Sequence, residues 1–227
     1  MNSSKFIIGT AQLDKNYGFK KKNFSSLSKL LANNNFGIDT SPEYIKSDIF
    51  FKKLNNPKLK VVSKLPAIYL PINTFKKKFK EQLDLIFQSV EPNNVETLLI
   101  HDPILPLDKK KWKIVHKKLN FLKKTKRINK IGISVYNKEE LDRILKVFTP
   151  DVVQFPLNIF NQSFGDKKYL NFLKKKKIEL HARSIFLQGL LLLKKRYLPK
   201  YFKNWKSHFD LWYKFLQKEK KDPFNYC

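Results

Sequence analysis

Seven short apolar stretches rich in β-branched residues recur along the chain, and most are followed by a longer amphipathic segment. They are FIIG (6–9), FGID (36–39), KVVSK (60–64), TLLIH (97–101), KIGISV (130–135), DVVQF (151–155) and IELHAR (178–183). Between them lie segments such as TFKKKFKEQLDLIFQSV and DKKKWKIVHKKLNFLKKT, whose apolar residues fall at helical spacing. The starts of the stretches fall about 20 to 36 residues apart, the length of repeated strand-helix units. Alternating strands and helices build a parallel sheet, and seven units in one domain predict a (β/α)8 TIM-type barrel rather than an open sheet. No Gly-x-Gly-x-x-Gly follows the first stretch, which argues against a dinucleotide-binding open sheet. After IELHAR only helix-like and loop segments follow, ending in KKDPFNYC, where Asp222 suits an N-cap and Pro223 a first helical turn. The expectation is therefore one α/β domain over residues 1–227, truncated before its eighth βα unit.

At 227 residues, with 42% hydrophobic content, the chain can bury a sizeable core. Its single cysteine, Cys227, excludes an internal disulfide framework and a cysteine metal cluster, and no metal site is expected. No apolar run is long enough to span a membrane, and MNSSKFIIGTAQ is too poor in apolar residues for a signal peptide, so a cytoplasmic protein is expected. The formal charge of +28 raises the question of nucleic acid. Its lysines are spread over every helix-like segment, and no nucleic-acid-binding motif accompanies them, so a solvated surface is the better account. A basic anion- or nucleic-acid-binding module stays as the lesser alternative.

Catalytic groups of barrel enzymes sit at the C-terminal ends of strands. Here those positions hold Asp39, Lys64, His101, Ser134, Gln154 and Arg183. Lys64 closes an otherwise apolar run, and an ammonium there needs a partner. Asp39 ends the preceding strand, and neighbouring parallel strands lie about 4.8 Å apart. Five residues beyond Asp39, in DTSPEY, comes Tyr44. An ammonium beside a phenol favours the phenolate and lowers its pKa from about 10. With His101 as a hydrogen-bond donor, these groups have the parts needed to protonate a carbonyl oxygen. His116 and His208 lie in lysine-rich helical segments and read as surface residues, whereas His181 shares a strand face with Arg183 and could be either core or pocket.

These residues resemble those of the aldo/keto reductase family. The similarity runs through FIIGTAQLDKNYG, GIDTSPEY, VVSKLP, LLIHDP, KIGISVY, VVQFPLN and ELHARSIFLQGLLL, essentially the whole chain. The resemblance implies hydride transfer between NADPH or NADH, with NADPH favoured, and an aldehyde or ketone, a sugar-type carbonyl among them. Tyr44 would be the general acid, Lys64 paired with Asp39 would tune it, and His101 would orient the carbonyl. By the same analogy Ser134 and Gln154 would hold the carboxamide and Thr10 would line the pocket floor. Residues 184–190, including Ser184, Leu187, Gly189 and Leu190, would run along the pyrophosphate, and Arg183 would face the nicotinamide. A small-molecule carbonyl is the implied partner, with no specific nucleic acid and no membrane.

The chain departs from the family pattern at three places. Where the family usually has Ser-Asn, it has Ser134-Val135, and where many members have an aromatic after strand seven it has Arg183. The eighth unit, which in relatives grips the adenosine ribose, is not in the sequence. A pseudoenzyme or inactive fragment is accordingly the second expectation.

Overall fold

The computed structural model describes residues 6–11, 36–44, 56, 59–90 and 95–227. Its seven strands are β1 (Ile7–Gly9), β2 (Gly37–Asp39), β3 (Val61–Leu65), β4 (Val95–Ile100), β5 (Ile128–Ser134), β6 (Val152–Pro156) and β7 (Glu179–Arg183). They form one all-parallel sheet in the order of the sequence. Each expected strand is present within two residues of its expected bounds.

Among the described residues the helices between strands are α1 (Ile72–Val90), α2 (Lys109–Lys124), α3 (Lys138–Leu145) and α4 (Lys167–Lys175). Asp108, Asn137 and Asp166 cap the last three, each side chain accepting from a backbone N–H of the first turn. Lysine covers the outer faces, while Phe75, Phe79, Leu83, Ile86 and Val90 of α1 and Trp112, Val115, Leu119 and Leu122 of α2 turn to the sheet. There they meet Val61, Leu65, Leu98, Ile100, Ile133 and Val153, which point outward from their strands. This helix-on-sheet layer is the main core.

The other face of the sheet is concave. Gln154 on β6 donates to Asp39 on β2 at 2.6 Å. Four strand steps across a flat sheet would separate these strands by about 19 Å, so the sheet curls into most of a barrel. Inside, Val62, Leu99 and Val152 form a separate buried layer. Gly132, paired with both Leu99 and Val152, faces that layer, and a Cβ there would lie 2.4 Å from the Leu99 side chain and 2.7 Å from the Val152 carbonyl. Among the described residues β1 and β7 each pair on one side only, and both are more exposed than β3 or β6.

After β7 the chain builds a smaller core. Leu190, Leu191, Phe209 and Trp212 pack together, the last two from α5 (Lys206–Glu219), and Trp212 donates to the Leu191 carbonyl at 3.2 Å. The expected start at Asp222 and Pro223 is α6 (Pro223–Tyr226), with the Asp222 carboxylate accepting from Phe224 N–H at 2.8 Å.

Candidate active site

Asp39 and Lys64 end their strands on the concave face and form an ion pair. The Lys64 side chain keeps 5% of its surface exposed and that of Asp39 15%. At such burial each charge requires the other. The lysine takes Oδ1 and Gln154 takes Oδ2, so both carboxylate oxygens are engaged. The backbone carbonyl of Asp39 accepts from the Thr10 N–H at 2.8 Å and from its hydroxyl at 3.1 Å. Thr10 is fully buried and also bonds Thr40 at 2.8 Å, so it pins the ends of β1 and β2 together.

The DTSPEY segment leaves β2 as a tight turn in which Tyr44 N–H donates to the Ser41 carbonyl at 2.9 Å. That turn brings the Tyr44 ring back over the sheet, its centroid 5.5 Å from Lys64 Nζ. Asp39, Tyr44 and Lys64 thus meet in one place, as the spacing predicted. His101 follows β4 directly, held by its N–H to the Leu65 carbonyl at 3.0 Å. Its imidazole keeps 34% exposure and lies 4.0 Å from the Glu43 carboxylate. Burial first, then the nearby Lys64 charge, lowers its pKa below 6.5, against the opposing pull of Glu43.

Ser134 and Gln154 are cross-strand partners on the concave face, and both are buried. Gln154 uses its amide nitrogen on Asp39, while its carbonyl Oε1 is buried without a hydrogen-bond partner among the described residues. Val135 does not stand in for the missing amide: its side chain is fully buried in the helix-on-sheet core. Arg183 ends β7 and leans across β6, with Nη2 donating to the Val135 carbonyl at 3.4 Å and its guanidinium 4.5 Å from the Tyr136 ring centroid.

Beyond Arg183 the backbone takes left-handed conformations at Ser184, Leu187, Gln188 and Gly189. A Cβ on Gly189 would meet no atom within 4 Å, so the backbone there faces open space. The Leu190 side chain is buried in the smaller core and Leu187 packs against it, so this segment turns backbone, not these side chains, outward.

Three residues of the site were not singled out in the sequence. Asn158 is buried, donates to the Ser184 carbonyl at 3.2 Å and accepts from Phe160 and Asn161 N–H at 2.9 Å, thereby tethering the segment after β7. The turn-forming asparagines of LNIFN were its only signal. Glu43 faces His101, and Tyr136 carries Arg183. His181 pairs through Nε2 with Glu179 at 2.7 Å, and its Nδ1 is buried without a partner among the described residues. His116 stacks on Trp112 in α2, with ring centroids 5.0 Å apart. Among the described residues no group of His, Cys, Asp or Glu could hold a metal ion, and no helix is long and apolar enough to cross a membrane.

No protein-family model matches the sequence, and no curated protein matches it. Solved structures do match in three dimensions. The glycerol dehydrogenase of Gluconobacter oxydans superposes with a TM-score of 0.65 at 19% identity, over 97% of this chain and 76% of that one. An aldo/keto reductase from Brucella melitensis gives 0.57 at 23% identity, over 84% of this chain and 71% of that one. A protein variant solved in complex with NADPH gives 0.59 at 19% identity, over 96% and 71%. With its seven strands in this order and its strand ends gathered at one mouth, the chain has the barrel fold of the aldo-keto reductases.

Proposed function

We propose that this protein is an NAD(P)-dependent aldo-keto reductase that reduces an aldehyde or ketone, with residues 1–227 acting as one barrel domain in the cytoplasm. The observation that carries the reading is the buried Asp39–Lys64 pair with the Tyr44 ring 5.5 Å from the ammonium. A buried ion pair adds little to stability over an apolar pair of the same volume. Its retention beside a phenol at a barrel mouth fits a chemical role.

In this reading Tyr44 is the general acid for reduction and general base for the reverse. The Lys64 ammonium favours its phenolate form, while Asp39 offsets the desolvation of the ammonium. His101 is held neutral by burial and by Lys64, so its N–H orients the carbonyl without adding charge. The residues fit a nicotinamide cofactor on a feature of their own: the unpartnered Oε1 of Gln154 offers an acceptor for a carboxamide N–H. Ser134 stands beside it, and the outward backbone around Ser184, Leu187, Gly189 and Leu190 suits a pyrophosphate. When bound, the nicotinamide supplies the hydride. NADPH is the favoured form. Thr10 acts by fixing the Asp39 carbonyl rather than by touching substrate.

A second reading, a barrel without turnover, draws on strands β1 and β7, each paired on one side only among the described residues. The deciding experiment is incubation of the purified chain with NADPH or NADH and a panel of aldehydes, ketones and sugars, following oxidation of the cofactor. Turnover that Tyr44→Phe removes supports the reductase. A cooperatively folded chain that oxidises no cofactor with any carbonyl supports the inert barrel.

A further inference from the structure

The side chain of Arg183 does not turn out to solvent with the helix-surface lysines of this basic chain. It crosses β6 and rests on the end of β5, on the Tyr136 ring and the Val135 carbonyl. Both contacts orient the guanidinium, and neither neutralises it, because a ring quadrupole and a carbonyl dipole carry no net charge. Among the described residues no carboxylate pairs with it. Its charge is felt within the site, where it adds to the effect of Lys64 on His101.

The strand register gives its height. Gln154 pairs with His181 and Pro156 with Arg183, so Arg183 starts two residues above Gln154 on the adjacent strand, about 7 Å along it and 4.8 Å across. A ring whose carboxamide is bound by the unpartnered Oε1 of Gln154 therefore sits at the same strand ends as a positive charge that no carboxylate of the described residues pairs with.

The two oxidation states of nicotinamide differ there in one respect. The oxidised ring carries a positive charge and the dihydro ring none, while the phosphates and ribose are common to both. An aromatic residue would attract the cationic ring through its face. A guanidinium repels it. Two unit charges a few ångströms apart at a partly desolvated site change affinity by more than tenfold.

We infer that Arg183 makes the cofactor site select for oxidation state, binding the reduced nicotinamide and rejecting the oxidised one. This rests on the reductase reading and deepens it. The product form of the cofactor is expelled after reduction, while the couple held on the protein is shifted toward its reduced form, because the form bound more tightly is the one favoured at equilibrium.

The test is equilibrium binding, with no turnover. Dissociation constants for NADPH are read from its fluorescence and for NADP+ from displacement of NADPH, on the full chain, Arg183→Lys and Arg183→Met, and repeated with NADH and NAD+. The full chain and Arg183→Lys are expected to bind the reduced form at least about tenfold more tightly than the oxidised form. In Arg183→Met the ratio falls to within about threefold, mainly through tighter binding of the oxidised form. Both cofactor pairs give the same ratios, because the adenosine end is common to each pair. A ratio near one in the unmutated chain overturns the inference without any variant. Equal weakening of both forms in Arg183→Met overturns it as well, and assigns the arginine to phosphate binding. If the cooperatively folded chain binds neither form, the cofactor reading falls, and this inference with it.

Discussion

Gln154 and Asp39, 115 residues apart in sequence, meet at 2.6 Å, the amide of β6 donating to the carboxylate of β2 across the inside of the barrel. The aspartate is thereby held from two sides, by this amide and by the Lys64 ammonium. Lys64→Met leaves the carboxylate in place with one partner gone. Loss of one member of a buried pair costs about 3–5 kcal/mol, so chemical denaturation should show a loss toward the lower end of that range, since Asp39 keeps some exposure. Carbonyl reduction should vanish as well. A variant as stable as the parent would mean that the pair is solvated.

Tyr44→Phe removes one hydroxyl and leaves the ring that packs near Lys64. Reduction should fall by the ~10²–10⁴-fold typical of a positioned proton donor, with cofactor affinity and melting temperature nearly unchanged. Steady-state kinetics beside a cofactor titration separate the two effects. Retained turnover would remove Tyr44 from the chemistry.

His101 titrates below its ordinary value in the folded chain, mainly because it is partly buried and also because it faces Lys64. Between its folded pKa and 6.5 the unfolded chain binds more protons at this residue than the folded chain does. Its share of stability is therefore fully present above about pH 6.5 and is lost as the pH falls through the folded pKa. Thermal melts across this range should show the drop, and His101→Gln should flatten it. An unchanged slope would mean that another group is responsible.

Gly132→Ala tests the inner layer of the barrel. The added methyl meets Leu99 and the Val152 carbonyl at distances no packed atom tolerates. Leu99 can shift, but the backbone carbonyl can do so only with its strand. Overpacking of this kind costs typically ~1–3 kcal/mol, read as a lower denaturation midpoint.

Much of this was legible because barrel strands repeat a simple demand. Most of the seven runs are apolar along much of their length, IELHAR with Glu179, His181 and Arg183 on one face being the exception, and a polar residue at or near the end of six of them marked the mouth. Asp39, Lys64 and Tyr44 could be placed together from strand order and one loop length. The second partner of Asp39 could not, because Gln154 reaches it only through the curl of the whole sheet. Thr10 was expected at the pocket floor and is a clamp on β1 and β2, a distinction that depends on which way one hydroxyl points. Asn158 acts through a carbonyl 26 residues away, which no local pattern signals. The reach of Arg183 over β6 likewise depends on Tyr136 offering a ring to lie on.

Among the described residues the rims at β1 and β7 are each paired on one side only, which has a consequence for handling this chain in solution. Each presents backbone groups that a second copy of the chain can complete, a route to intermolecular strand addition. What opposes such encounters is the formal charge of +28 carried by every copy, a repulsion with a reach of about 10 Å at 0.1 M ionic strength. Added salt shortens that reach without weakening the apolar attraction, so this chain should self-associate on salting and disperse on dilution of salt, the reverse of what its lysine content alone would lead one to plan for.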